Sequence, residues 1–219
     1  MSIDENEFCN SIYGEIQGRG FCGRYVAFSH RALEKNLGFI PKEAKILEVG
    51  GNLGEHSKYV THEYESYLIT DKRFVDAKPL NNLISFEVAN VEDLPFPDSS
   101  FDRILSTCLL HHLDDPERGL REMRRVVKAG GLISLTLPCD PGVFYRLGKA
   151  IGPYRAMKKS FKNFSPKYLH YVQHRNHFSS LETKIDQVFQ KDQIKSRNYP
   201  FFVPFWNVNL FRIYQIQKT

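Results

Sequence analysis

Between Lys45 and Gly54 the sequence reads KILEVGGNLG: an apolar strand with a carboxylate, Glu48, near its end, followed by a glycine-rich turn. Gly50, Gly51 and Gly54 let the backbone bend sharply and approach a ligand closely, where a side chain would fill the space. The pattern departs from the dinucleotide fingerprint G-x-G-x-x-G. Asn52 and Glu55 stand where its second and third glycines belong, and no Walker lysine follows. Pyrophosphate is therefore disfavoured. A carboxylate at the turn suits a nucleoside that carries positive charge, and the common one is S-adenosylmethionine, with its sulfonium and ammonium groups. A single glycine turn is also an ordinary strand-to-helix connection, so the weight falls on what converges with it.

Three more strand ends supply candidates. Asp71 closes the run SYLITD, 21 residues after Gly50, a place from which a carboxylate accepts both ribose hydroxyls. Asn90 and Val91 follow ISFEVA, and the Asn90 amide can bond the amine or a ring nitrogen of adenine. Ser106 and Thr107 close FDRILST ahead of Cys108, with carbonyls that can receive an ammonium. Singly, Asp71 also reads as a helix N-cap and Asn90 as a turn former; the shared register of four strand ends favours one ligand. His111 and His112 come next, near where a transferable methyl group would lie, and imidazole titrates near neutrality. They are candidate bases, set against the alternative that they pack or cap the helix beginning near Asp115. Glu122 and Arg125 read as a solvated pair on that helix.

The elements that position these residues alternate in βα rhythm. Tyr25, Phe28, Leu33 and Leu37 recur at helical spacing, with Gly38 and Pro41 as the stop. Five short apolar runs then alternate with connecting segments, KILEVG, SYLITD, ISFEVAN, FDRILST and LISLTLP. Asp115-Pro116-Glu117 starts a helix that Gly130-Gly131 ends, with Leu120, Met123, Val126 and Val127 as its buried stripe. Ser179 and Glu182 form a capping box for a helix lined by Leu181, Ile185, Val188 and Phe189. Two last strands, QIKSRNYP and NLFRIYQIQ, pair at the edge. The predicted fold is α/β, a three-layer Rossmann-like sandwich with helices on both faces of a mostly parallel sheet. The 219 residues form one expected domain: an N-terminal helical lead over 1–40, a cofactor-binding core over 41–140, an acceptor cap over 141–180, and a last helix with edge strands over 181–219.

Composition narrows the class. A hydrophobic share of 42% with 25% charged residues is ordinary for a globular chain, and no apolar run approaches the roughly 20 residues of a membrane span. The acidic start MSIDENEF is unlike an export signal, which predicts a cytoplasmic address. Cys9, Cys22, Cys108 and Cys139 lack zinc-site spacing and read as reduced thiols.

On these residues the chain resembles the class I S-adenosylmethionine-dependent methyltransferases of the type 11-like kind. ILEVGGNLG resembles the family's acidic-glycine motif, ITD its ribose-binding acid, and NVEDLPFPDSSFDRIL the adenine segment with the fourth strand. LLHHLDDPERGLREMRRVVKAGG resembles the segment leading into the fifth strand, so the likeness runs from about Lys45 to Pro138. The resemblance implies a seven-stranded sheet with the last strand inserted antiparallel, S-adenosylmethionine as cofactor, and methyl transfer as activity. Asn52 replaces the family's usual middle glycine, and Asn90 stands where aspartate is common. Asparagine tolerates left-handed backbone and still hydrogen-bonds.

From Pro141 to Leu181 there is no Asp or Glu, against eight Lys or Arg, three His and eight Phe or Tyr. Without those eight cations, 22 Lys and Arg face 25 Asp and Glu, so the net charge of +5 arises in this stretch. The resemblance implies that acceptor-binding elements follow the fifth strand, so Arg146, Lys149, Arg155, Lys158, Lys159, Lys162 and Arg175 become candidate contacts for an anionic small-molecule or lipid-linked acceptor, such as a glycan precursor. A solvated basic face, an RNA substrate, a membrane-surface lipid or quinone substrate, and a non-catalytic cofactor-binding relative remain as alternatives. His170, His174 and His177 have the spacing of one helical face. With no carboxylate in the segment a metal is not expected there, and His177 is a third candidate base.

Overall fold

The computed structural model describes residues 20–74, 76–151 and 173–219. Of the basic segment, Arg155, Lys158, Lys159, Lys162 and His170 lie outside the described residues. The elements run α1 (Gly20–Leu33), β1 (Lys45–Val49), β2 (Ser66–Asp71), β3 (Ile84–Val88), β4 (Phe101–Thr107), α2 (Pro116–Val126), β5 (Val127–Pro138), α3 (Val143–Ile151), α4 (Phe178–Val188), β6 (Gln193–Tyr199) and β7 (Phe211–Gln217). They build one seven-stranded sheet in the order β3-β2-β1-β4-β5-β7-β6. Strands β1 to β5 are mutually parallel, and β7 runs antiparallel between β5 and β6. The sheet is the one the sequence implies.

Alternation along the strands divides the core. Leu47 and Val49 of β1 join Leu120, Met123 and Val126 of α2 and Leu181 and Ile185 of α4 on one face. Ile46 of β1 joins Tyr67, Ile69 and Leu105 under Ala32 and Leu33 of α1 on the other. By the same period of two, Glu48 and Arg103 fall on the α1 face. The topological switch lies between β1 and β4, and the crevice at their carboxyl ends is where such a sheet takes its ligand.

Three element ends differ from the expected ones, two of them through a distant partner. Helix α1 stops at Leu33, because the chain turns away through Asn36 at φ 56°. Helix α2 stops at Val126 instead of Gly130, because Ser99 N and Ser100 N donate to the Arg125 and Val126 carbonyls at 3.0 and 2.8 Å, capturing the acceptors of a further turn. The Ser179 capping box does not form. Phe178 is buried, its N–H donates to the Asp140 carbonyl at 2.9 Å, and the helix begins two residues earlier, with His177 at the cap position. Glu182 pairs with Arg212.

Gly54 holds φ +73°, and a Cβ there would stand 2.6 Å from Ile69 Cδ1 and 3.1 Å from Phe86 Cζ. Gly54→Ala should therefore cost about 2–4 kcal/mol in urea unfolding, combining left-handed strain with overpacking. A loss under 1 kcal/mol, of the order of ordinary surface changes, would show that this turn relaxes freely.

Candidate functional site

A cavity of about 400 Å³ opens at the carboxyl ends of the central strands. Of the residues singled out from sequence, it is lined by Glu48, Gly50, Gly51, Asn52, Asp71, Asn90, Val91, Thr107, His111 and His112. Gly54, Ser106 and His177 do not line it. Gly54 shapes the turn from beneath, Ser106 is buried inside β4, and His177 is exposed at the start of α4. The helical face expected for His174 and His177 is absent, since residues 174–177 are not helical.

Gly50 holds φ +64°, and a Cβ at that position would meet Leu109 Cδ1 at 2.6 Å. A Cβ on Gly51 would crowd the Glu48 side chain at 2.9 Å. The turn thus leaves room beside the strand's carboxylate. Asn52 follows at φ 46°, the left-handed conformation its side chain tolerates, and its Oδ1 is buried without a hydrogen-bond partner. An orphaned buried acceptor costs stability unless a ligand donates to it.

Glu48 is 1% exposed. Its Oε2 accepts from the Tyr67 hydroxyl at 2.7 Å, and burial pushes its carboxyl above the usual range even though His56 and the Tyr67 bond pull the other way. A buried carboxylate in that condition is completed by a cation. Asp71 sits at the end of β2, its Oδ1 accepting from Arg73 N at 3.0 Å and Nε at 3.2 Å. Asn90 turns its Oδ1 to Glu92 N at 3.1 Å, so its side chain serves the local turn while the residue lines the cavity. Together the buried Glu48 carboxylate at the cavity wall, the orphaned Asn52 oxygen and the glycine approach fit the cationic amino-acid part of S-adenosylmethionine, and Asp71 fits its ribose.

The far end of the cavity is built from histidines. His112 Nδ1 donates to the Gln173 carbonyl at 2.9 Å, and His174 Nδ1 donates to Asp140 Oδ2 at 2.8 Å. The His111 ring lies 4.0 Å from that of His112 and 4.1 Å from that of His174, centre to centre. Cys108, at φ +54° on the wall, has its thiol pushed up to about 11 by burial. Helix α1 also reaches the cavity, through Tyr25, Val26, Ser29 and His30, and His56 joins them from the turn after Gly54. Sequence reasoning missed His30, His56 and His174 as lining residues. An early signal lay only in the position of His56, two residues past the glycine motif.

A doubly wound sheet with one reversed strand, and an acidic, glycine-flanked cavity at its switch point, defines a nucleoside-binding α/β protein. Residues 47–135 match the family model of the methyltransferase domain. The chain is 33% identical over 104 residues to the chloroplastic 2-methyl-6-phytyl-1,4-hydroquinone methyltransferase 1 of Oryza sativa, covering 44% of this chain and 32% of that protein. It is 42% identical over 71 residues to the ubiquinone/menaquinone biosynthesis C-methyltransferase UbiE of Cronobacter sakazakii, covering 32% of this chain and 28% of that one. The chain thus spans about a third or less of the length of these two relatives. An S-adenosylmethionine-dependent methyltransferase from Mesorhizobium loti superposes with a TM-score of 0.57 at 14% identity, over 85% of this chain and 96% of its own, a likeness of fold. Residues 47–135 thus match the methyltransferase-domain family, and the fold is that of S-adenosylmethionine-dependent methyltransferases, which implies S-adenosylmethionine as the cofactor.

Proposed function

We propose that the chain transfers the methyl group of S-adenosylmethionine to an acceptor with an anionic group and an apolar, lipid-like part. The observation that carries this reading is the meeting of Glu48, Asn52 and Asp71 in one cavity whose other end is the histidine cluster. Glu48 and Asn52 would hold the methionine part, Asp71 the ribose, and the wall of Ala89, Asn90 and Val91 the adenine. The methyl group would then face His111, His112 and His174. Holding the acceptor in line with the sulfonium carbon supplies much of such a rate, and a base is needed only where the acceptor must lose a proton.

The acceptor class rests on an exposed apolar surface of the described residues. Val143, Phe144 and Leu147 of α3 are exposed, as are Phe201, Phe202 and Phe205 in the loop before β7, with the Phe144 and Phe201 rings 5.5 Å apart. Arg146 is exposed between Phe144 and Leu147, Arg175 lines the cavity, and burial lowers the Lys149 ammonium to about 8. Apolar surface flanked by cations suits a lipophilic anion presented at a membrane surface. The quinol and quinone names of the two relatives agree with such an acceptor. No helix of the described residues is long and apolar enough to cross a membrane.

The test is transfer of labelled methyl from S-adenosylmethionine to lipid and aqueous fractions of a cell extract, with mass spectrometry of the product. Label in the lipid fraction is the expected result. Label only in the aqueous fraction or in RNA overturns the acceptor class, and no transfer together with no cofactor heat in calorimetry overturns the cavity assignment. In parallel, the chain should co-sediment with phosphatidylglycerol vesicles, and high salt or Phe202→Asp with Phe205→Asp should release it.

A further inference from the structure

We propose that His111, His112 and His174 form a three-imidazole binding site for one divalent transition metal ion of the zinc or cobalt(II) kind. Each offers a ring nitrogen, and the three nitrogens lie within 4.8 Å of one another. A tetrahedral ion with bonds of about 2.0–2.1 Å needs its nitrogens about 3.3 Å apart, so the rings close by about 1.5 Å at most, within reach of small side-chain rotations.

Two of the three tautomers are set by hydrogen bonds. A backbone carbonyl only accepts, so His112 carries its proton on Nδ1 toward Gln173 and presents the lone pair of Nε2. The Asp140 carboxylate fixes His174 in the same way, with both side chains nearly buried, 11% and 8% exposed. A carbonyl or carboxylate on the far ring nitrogen is the usual outer support of a metal-ligating histidine. Asp140 precedes the acid-free segment, which is why that segment's composition gave no hint of a carboxylate near His174.

The two strands of chain that carry the site are cross-braced. The His111 carbonyl accepts from Arg175 N at 3.0 Å and Asn176 N at 3.2 Å, and Asn176 Nδ2 donates to the Leu113 carbonyl at 2.8 Å. These bonds hold residues 173–176 against the turn Leu110–His112 whether or not an ion is present. Imidazole ligands select zinc, cobalt, nickel or iron over magnesium and calcium, which prefer oxygen. Three protein ligands leave a position open, and all three rings line the cavity, so that position would take an oxygen or sulfur atom of the acceptor.

The experiment adds Co²⁺ to the untagged full chain and follows visible absorption and calorimetry, with Zn²⁺ as competitor. One Co²⁺ per chain, a visible spectrum more intense than that of aqueous Co²⁺, and displacement by Zn²⁺ are expected. His112→Ala and His174→Ala should abolish the spectrum, and Asp140→Asn should weaken Co²⁺ binding about 10–100-fold. Far-ultraviolet circular dichroism should show all three variants folded, and Asp140→Asn, whose residue does not line the cavity, should keep the wild-type affinity for S-adenosylmethionine. Absence of stoichiometric Co²⁺ binding by the wild type overturns the proposal, as does binding that survives both alanine variants. Because cofactor affinity is read separately, the proposal and the methyl-transfer reading fail independently.

Discussion

Asp71→Ala is expected to weaken binding of S-adenosylmethionine and S-adenosylhomocysteine about 100- to 1,000-fold in calorimetry, with little change in thermal stability. The residue ends β2 at the cavity wall, 9% exposed, and Arg73 N and Nε hold one carboxylate oxygen in place. A ribose offers two hydroxyls to one carboxylate, and each hydrogen bond to a charged acceptor contributes about 1.5–3 kcal/mol. Losing both gives roughly 3–4 kcal/mol after partial replacement by water, or two to three powers of ten. Asp71→Asn keeps one acceptor oxygen and exchanges the other for a donor, so its loss should be smaller. Both ligands should suffer alike, since they share the ribose. Unchanged affinity in Asp71→Ala would place the sugar elsewhere and leave the carboxylate as an anchor for Arg73.

The strands were legible because their signal is local. KILEV, SYLITD, ISFEV, FDRILST and FRIYQIQ are each long enough to alternate, and parallel strands buried on both faces read as near-continuous apolar runs. The residues that line the cavity from the strand ends were legible for a related reason, since strand ends converge at the switch point, whereas Gly54 and Ser106 fall outside its lining. What escaped the sequence depended on partners far along the chain. Helix α2 ends early because of Ser99 and Ser100, more than 25 residues before the carbonyls they capture. His174 joins His111 and His112 across 61 residues between His112 and Gln173, a contact that no periodicity carries. Arg103 is the plainest case. In the run FDRILST it resembles a charge at a strand's edge, yet it is 0% exposed, because Glu34 meets it from 69 residues away.

That buried pair sets the second large effect. Arg103→Met should destabilise the chain by about 3–5 kcal/mol, because it leaves Glu34 as an uncompensated charge in the core. The guanidinium donates to Glu34 Oε1 at 2.6 Å and Oε2 at 3.0 Å, to His62 Nε2 at 2.8 Å and to Ser134 Oγ at 3.3 Å. Glu34 Oε1 also accepts from His56 Nε2 at 2.8 Å, and His56 Nδ1 meets His30 Nδ1 at 2.8 Å. Glu34→Gln together with Arg103→Met should recover part of the loss, since the double change removes both charges.

The same network fixes how stability follows pH. Burial, followed by the charge of His56, lowers His30 from 6.5 to about 3, and burial lowers His62 as well. Burial would raise Glu34, but hydrogen bonds from His56 and Arg103 outweigh it and hold the carboxyl at about 2 against an ordinary 4.5. These three depressed groups bind protons more readily in the unfolded chain, so each favours folding at high pH and loses its contribution as pH falls through the gap. Glu48 acts oppositely: its raised carboxyl stabilises below its ordinary 4.5 and loses that contribution as pH climbs above it. Between 6.5 and 4.5 the histidines and Glu48 therefore offset one another in part. Below 4.5 the opposition ends while His30 and Glu34 act together, so the steepest loss should fall between 4.5 and about 3. Each group supplies at most about 1.4 kcal/mol per pH unit. Urea midpoints measured from neutrality down to that window should show this bend, and Glu34→Gln should flatten its lower limb. A slope that stays constant across the range would mean that these buried groups do not titrate in the directions their surroundings dictate. A cationic partner beside Glu48 favours its charged form, so binding that partner should lower the pH at which this carboxyl releases its proton.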